Sequence, residues 1–438
     1  MTELYRLGLR EAALRIRAGK LTSLQYTRDL IAQIDHLEED VQAWQWLDRS
    51  RALDLAARAD KSDSALRVAH PLHGIPIGVK DLFYTAGIPT EMGCRAYVGY
   101  VPDISADVVV RLESAGGIMF GKTVTTEAAF MVPAKTRNPW NTNHTPGGSS
   151  SGSAAAVAAG FVPGALGTQT NGSVIRPAAF CGVVGYKPSF GQISARGALP
   201  FSPSLDQPGV FARSVADAAF LASNLTAQRT VITPEVRPLR NAPKLAAVRS
   251  PVWYLAQPEQ RLQFESDIGR LRDAGASVDV LEISGAFDGA QRIHRTIMLY
   301  EAARVAKSAR EIWRDGFSDY LNAALDEGEN IREPDYRDAL KIRTQLQQSL
   351  AEFFDRGYSA IMTPPAAGEA PPTLDNTGDP RFCTIWTLIG VPAITIPTGK
   401  GPHGLPLGLQ LVGAAEEENY LLATAAWCER YSPFTGLV

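Results

Sequence analysis

Residues 147–176, GGSSSGSAAAVAAGFVPGALGTQTNGSVIR, hold no charged side chain before Arg176. They are built almost wholly from small and hydroxyl-bearing residues, a composition suited to close packing in an interior. Ser149, Ser150 and Ser151 open an alanine-rich run; serine is a good helix N-cap and alanine the best helix former, so a helix is expected over 149–160, ending at Gly160. Such a helix is roughly 18 Å long, and an extended return over 165–171 covers roughly 23 Å. The chain can therefore bring Ser173 back beside Ser149. Tight packing of a small-residue helix on a sheet would explain the alanines and glycines, but not serines at both ends.

The rest of the composition frames this segment without defining it. A chain of 438 residues with 45% hydrophobic and 20% charged residues is expected to be an ordinary globular protein with a large core. A formal net charge of −3 gives no footprint for nucleic acid or an anionic membrane. Cys94, Cys181, Cys383 and Cys428 are far apart and form no metal-ligand or redox spacing, so they read as buried thiols in a reducing compartment. The first twenty residues are too charged for a signal peptide, which makes the cytoplasm the default expectation. Apolar residues recur at helical spacing over 3–30, with Gly19 and the cap-like Thr22-Ser23 between two helices, and again over 49–59. These charged helices are expected to form an outer layer, with a homodimer contact as their second possible use.

The first strong strand signal is the apolar run 74–79, which ends in Lys80. One reading leaves its ammonium in water at a strand end. The other places it in an apolar setting that lowers its pKa, so that a neutral amine can serve as a base. Asp81 should face away from it, because successive strand residues alternate. Downstream, GGIMFGKT at 116–123 fits the phosphate-loop pattern GxxxxGK[ST]. Its context is wrong: a helix over 106–115 precedes it, and 118–120 looks like the strand itself. GSSSG at 148–152 fits the nucleophile elbow centred on Ser150, but a polar, proline-broken loop precedes it where a strand is needed. Of the downstream histidines, His294 and His403, neither sits in a recognisable catalytic context.

Three segments remain together: GVKD around Lys80, PGGSSSGSAAAVAAG at 146–160 and GTQTNGSVIRPAAFCGVVGYKPS at 167–189. They resemble the amidase signature family, as do the SLDQPG turn at 204–209, Gly390-Val391-Pro392 and the GLPLGLQ run at 404–410, so the resemblance spans nearly the whole chain. It implies a single α/β domain with a twisted mixed sheet covered by helices on both faces, needing no cofactor or metal. It also implies a Ser-cisSer-Lys triad. Lys80 then stands as base, Ser149 as the bridging serine with a cis peptide, and Ser173, 24 residues on, as nucleophile. The backbone amides of Thr170, Asn171, Gly172 and Ser173 would form the oxyanion hole, with Ser150 and Ser151 in support. Two departures stand out. Asn171 replaces a usual glycine, a change best tolerated if the position needs positive φ, and Val124 replaces a usual asparagine.

Within this resemblance the chain divides into a helical layer (1–60), a catalytic core (70–215), a variable region that shapes the acyl pocket (216–380) and a closing segment of sheet and helix (381–438). Helices are expected within 215–225, 266–274, 293–307 and 417–430, and a strand over 244–249. The Pro/Gly-rich segment 363–380 is expected either as a surface connection or as a pocket lid. The expected activity is hydrolysis of a small linear amide to an acid and ammonia or an amine. Ser173-Val174-Ile175-Arg176-Pro177 resembles the malonamidase-like branch, in which the arginine three residues after the nucleophile clamps a substrate carboxylate; the alternative for Arg176 is a structural partner. Rival readings are the A subunit of a glutamyl-tRNA amidotransferase, a P-loop nucleotide-binding protein and a catalytically silent scaffold.

Overall fold

The computed structural model describes residues 3–226, 232–283 and 285–438. Their strands are β1 (Trp44–Leu47), β2 (Pro76–Lys80), β3 (Ile118–Thr123), β4 (Gly164–Gln169), β5 (Val184–Lys187), β6 (Gln207–Ala212), β7 (Lys244–Arg249), β8 (Ser277–Glu282), β9 (Ala360–Thr363), β10 (Ala393–Lys400) and β11 (Pro406–Val412). All belong to one mixed sheet in the order β1-β3-β2-β4-β6-β5-β10-β11-β9-β7-β8. Parallel ladders join β2 to β3 and β4, and β7 to β8 and β9. Antiparallel ladders connect these two groups through β6, β5, β10 and β11. Strands from both ends of the chain thus interleave in one sheet, and the result is the single α/β domain expected, with helices packed around the sheet.

Thr22 ends the interruption between the first two helices, Leu9–Arg17 and Ser23–Val41: its hydroxyl accepts the Gln25 amide, and Gln25 returns a bond to the Thr22 amide. The helix in the small-residue segment, Ser151–Ala158, starts two residues later than the sequence suggests. Ser150 is drawn off by β4, donating to the Thr168 carbonyl at 3.2 Å and accepting the Thr168 amide at 3.3 Å. Every residue of this helix is buried, so its uniform smallness serves contact on all sides. Gly152 shows how close that contact is, since a Cβ there would lie 2.3 Å from the Ala43 carbonyl oxygen and 2.4 Å from the Val124 nitrogen. Gly160, at φ 77°, ends the segment as expected.

Lys122, the lysine of the phosphate-loop pattern, lies inside β3 and is fully buried. Its Nζ is 3.1 Å from Asp81 Oδ1 and donates to the Phe83 carbonyl at 2.8 Å and to Thr90 Oγ1 at 2.6 Å. Asp81 in turn accepts the amides of Glu91 and Met92, each at 3.0 Å. This lysine pins the loop after β2 and has no freedom to meet a phosphate, so the nucleotide-binding reading fails. Asp81 does turn away from Lys80, toward this neighbouring strand.

Three outcomes follow for stability. Gly152→Ala should lower the unfolding free energy by about 1 to 3 kcal/mol through overpacking, whereas Gly269→Ala should raise it by up to about 1 kcal/mol. Gly269 sits within the helix Pro258–Asp273 with nothing near its missing Cβ. Asp81→Ala should cost about 3 to 5 kcal/mol, because it strands the buried Lys122 charge. Urea denaturation of the three variants beside the parent chain measures each change.

Candidate active site

Lys80 ends β2, where the parallel register sets it beside Thr123 of β3. Its side chain is wholly buried, and Nζ lies 2.7 Å from Ser149 Oγ and 2.7 Å from Thr168 Oγ1. No carboxylate lies within ion-pair distance among the described residues. Burial pushes its pKa well below the ordinary lysine value, with the charge of Asp206 opposing. A desolvated ammonium between two hydroxyls is a poor charge site, which is the physical cause of that lowering.

Ser149 is buried, and the Gly148–Ser149 peptide is cis, as the resemblance implies. Ser150 is tied to β4 as described, so it cannot serve as an elbow nucleophile. Ser151 Oγ donates to the Gly147 carbonyl at 2.8 Å. Ser173 follows the turn after β4 and borders a cavity of about 470 Å³. Its Oγ has no protein hydrogen-bond partner among the described residues, and is open to whatever the cavity holds. Catalytic hydrogen bonds commonly close only when substrate is present.

Gln169, the last residue of β4, organises the turn between Lys80's partner Thr168 and Ser173. Its Oε1 accepts the amides of Val174 at 2.8 Å and Ile175 at 3.0 Å. The four preceding amides, those of Thr170, Asn171, Gly172 and Ser173, have no acceptor among the described residues. A run of free N–H groups beside a candidate nucleophile suits a developing oxyanion. Asn171 is not among the residues with positive φ, so the condition attached to its replacement of glycine does not arise. Its replacement of glycine needs no left-handed backbone, and its Oδ1 accepts from Thr384 Oγ1 at 2.7 Å. Val124, the other departure, is buried beside the Ser151–Ala158 helix, where its amide donates to the Ala43 carbonyl at 2.9 Å.

Arg176 lies in the first turn of the helix Ile175–Cys181 and is 2% exposed. Nη2 donates to the Gly148 carbonyl at 2.7 Å and to Thr377 Oγ1 at 3.0 Å, while Nε and Nη1 are buried without a partner. Burial lowers its pKa to about 10, which leaves it protonated at neutral pH. The nearby carboxylate, Asp379, is held by Arg381 instead. Asn376, Gly378, Asp379 and Pro380 border the same cavity, so the segment 363–380 ends as a pocket wall.

Several site residues carried no legible sequence signal. His294 is buried in the helix Ala290–Trp313, with Nε2 2.8 Å from the Thr170 carbonyl oxygen, and it borders the cavity. Asp206 accepts the Thr170 hydroxyl at 2.5 Å and the amides of Phe201 and Ser202 at 2.8 and 3.0 Å; burial raises its pKa to about 6. The SLDQPG motif could have pointed to Asp206, whereas nothing near His294 in sequence does. Among the described residues no cluster of three or more His, Cys, Asp or Glu side chains could hold a metal, and no helix is long and apolar enough to cross a membrane.

Comparison with known proteins agrees with this geometry. Residues 25–422 match the family model described as Amidase. A solved structure titled "Crystal structure of amidase" superposes with a TM-score of 0.86 at 33% identity, covering 97% of this chain and 99% of the other. The native peptide amidase from Stenotrophomonas maltophilia superposes with a TM-score of 0.83 at 28% identity, covering 99% and 98%. Among curated proteins, the A subunit of glutamyl-tRNA(Gln) amidotransferase from Anaeromyxobacter dehalogenans (strain 2CP-C) is 33% identical over 98% of this chain and 96% of its own length. The family match over most of the chain, relatives aligned end to end and a sheet shared with solved amidases together mean that this chain belongs to the amidase family, as an enzyme acting on amides.

Proposed function

We propose that this chain hydrolyses a small linear amide bearing a carboxylate, through an ester formed on Ser173. Neutral Lys80 takes the proton of Ser149 while Ser149 takes that of Ser173, and Ser173 Oγ bonds to the amide carbon. The electron pair displaced from the carbonyl settles on its oxygen, which the amides of Asn171, Gly172 and Ser173 receive. As the C–N bond breaks, the proton returns through Ser149 to the departing nitrogen, freeing ammonia or an amine. Water then attacks the ester by the same relay and releases the acid.

The observation that carries the substrate class is the half-satisfied guanidinium of Arg176. A buried cation with two unpartnered nitrogens and no carboxylate of its own is costly, and a substrate carboxylate would complete it. Thr377 and the Gly148 carbonyl use one nitrogen to fix the side chain, so the structural and clamping uses of Arg176 are compatible.

The curated relatives support a second reading, the A subunit of a glutamyl-tRNA amidotransferase. There the same relay would act on an amide donor, with partner subunits and a tRNA-bound acceptor. The two readings separate on the isolated chain. Ammonia release from monoamides of short dicarboxylic acids, absent in Ser173→Ala, supports the free-standing amidase. Activity appearing only with partner subunits and glutamyl-tRNA replaces it with the second.

Lys80 should make kcat/KM rise with pH and level off well before the ordinary lysine value of 10.5, because the neutral amine is the active form and burial lowers its pKa. Lys80→Arg, charged throughout, should be inactive across the range. An inflection near 10.5 in the parent enzyme would remove the neutral-base role. Arg176→Ala should lower kcat/KM for the carboxylate-bearing amide by about 2 to 5 kcal/mol in transition-state terms, and for a neutral amide of equal length far less. Equal losses on both would make Arg176 structural alone.

A further inference from the structure

Three consecutive carbonyls precede Ser173, and each is anchored. Thr170 O lies 2.8 Å from His294 Nε2, Asn171 O accepts from the Thr387 hydroxyl, and Gly172 O accepts the Arg176 amide at 3.0 Å. A carbonyl oxygen only accepts, so Nε2 of His294 carries its hydrogen. Burial pushes the His294 pKa down to about 4, which keeps the ring neutral and in this tautomer near neutral pH. Thr387 is oriented in its turn, since its hydroxyl oxygen accepts from Gln169 Nε2 at 2.9 Å.

The only cis peptide among the described residues is Gly148–Ser149, so the peptides from Thr170 to Ser173 are trans. In a trans peptide the N–H points opposite to the C=O of the same plane. Holding the Thr170 carbonyl therefore aims the Asn171 amide, holding the Asn171 carbonyl aims that of Gly172, and holding the Gly172 carbonyl aims that of Ser173. These are three of the four amides from Thr170 to Ser173, none of which has an acceptor among the described residues. Donors fixed in this way need no reorientation when negative charge develops, which is where most of their catalytic value lies.

We infer that His294 is a positioning residue for the oxyanion amides, acting with Thr387 through the carbonyls on the far side of the same peptide planes. The inference rests on the Ser173 chemistry proposed above. It assigns a part to the helix Ala290–Trp313, which lies in the region expected to vary with substrate, and that part is tied to the transition state more than to substrate recognition.

The test compares a substrate with its aldehyde analogue, for example succinamate with succinic semialdehyde. The aldehyde forms a hemiacetal with Ser173: the Oγ–C bond forms, the serine proton passes to the relay, and the former carbonyl oxygen enters the amide cradle. His294→Phe should lower kcat by about 10- to 100-fold, less than deleting an oxyanion donor outright, and weaken the semialdehyde by a similar factor while KM stays near that of the parent. His294→Gln, which restores an N–H donor, should recover much of both. Should His294→Phe fail to fold, the near-isosteric Thr387→Val takes its place with the same expected split. A raised KM with unchanged kcat, undiminished semialdehyde affinity, or a glutamine variant no better than phenylalanine overturns the inference. Turnover that survives Ser173→Ala overturns the proposed function itself, a result separate from these.

Discussion

The site depends on a lysine buried without a counter-ion. Among the described residues three wholly buried lysines lie at sheet strands, and their partners separate them. Lys122 has a carboxylate, Asp81, and burial still lowers its pKa to about 8. Lys187 has the carbonyls of Pro188 and Val391 and the Gln207 side chain, and burial brings it to about 7. Among the described residues Lys80 meets only the hydroxyls of Ser149 and Thr168, and burial lowers it well below the ordinary lysine value. Desolvation is common to all three; what differs is how much of the charged form's hydration the neighbours replace. A hydroxyl can also yield its proton to a neutral amine, which a backbone carbonyl cannot. The same burial thus makes Lys122 and Lys187 structural ties and leaves Lys80 able to act as a base.

Around that lysine the strand β4 and its turn do several tasks within a few residues. Thr168 holds Lys80, Gln169 caps the Val174 and Ile175 amides, and the next three peptides present their N–H groups. The economy comes from the small-residue packing beneath. The Ser151–Ala158 helix lies close enough for Ser150 and Ser153 to bond the β4 carbonyls of Thr168 and Leu166. A larger residue at Gly152 would separate the helix from the backbone next to β3, and with it the cis peptide that carries Ser149. Stability of this layer and geometry of the site are the same property.

The cavity is assembled from distant segments. Ser173 and Arg176 come from the turn and helix after β4, His294 from a helix more than a hundred residues later, and Asn376 and Asp379 from the segment that leads into β10. Arg176 joins these parts, because it bonds the carbonyl of the cis peptide on one side and the pocket wall on the other. A guanidinium has enough donors to do this and keep two nitrogens free, which a lysine in its place would not.

The sequence alone determined the elements whose causes are local. The capping of Ser23–Val41 by Thr22, the strand ending at Lys80, the alanine helix and its stop at Gly160, and the exclusion of both false motifs could all be read from neighbouring residues. The roles expected of Lys80, Ser149 and Ser173 came through the resemblance. Where a side chain is drawn away by a distant partner, the local reading failed: Ser150 delays the helix because β4 claims its hydroxyl. His294 has no recognisable catalytic context in the sequence, and only the fold brings it to the Thr170 carbonyl. The burial of Lys80, the partial satisfaction of Arg176 and the free amides were likewise decided by the tertiary structure. Each depends on water being excluded and on partners remote in sequence, and no local pattern encodes either.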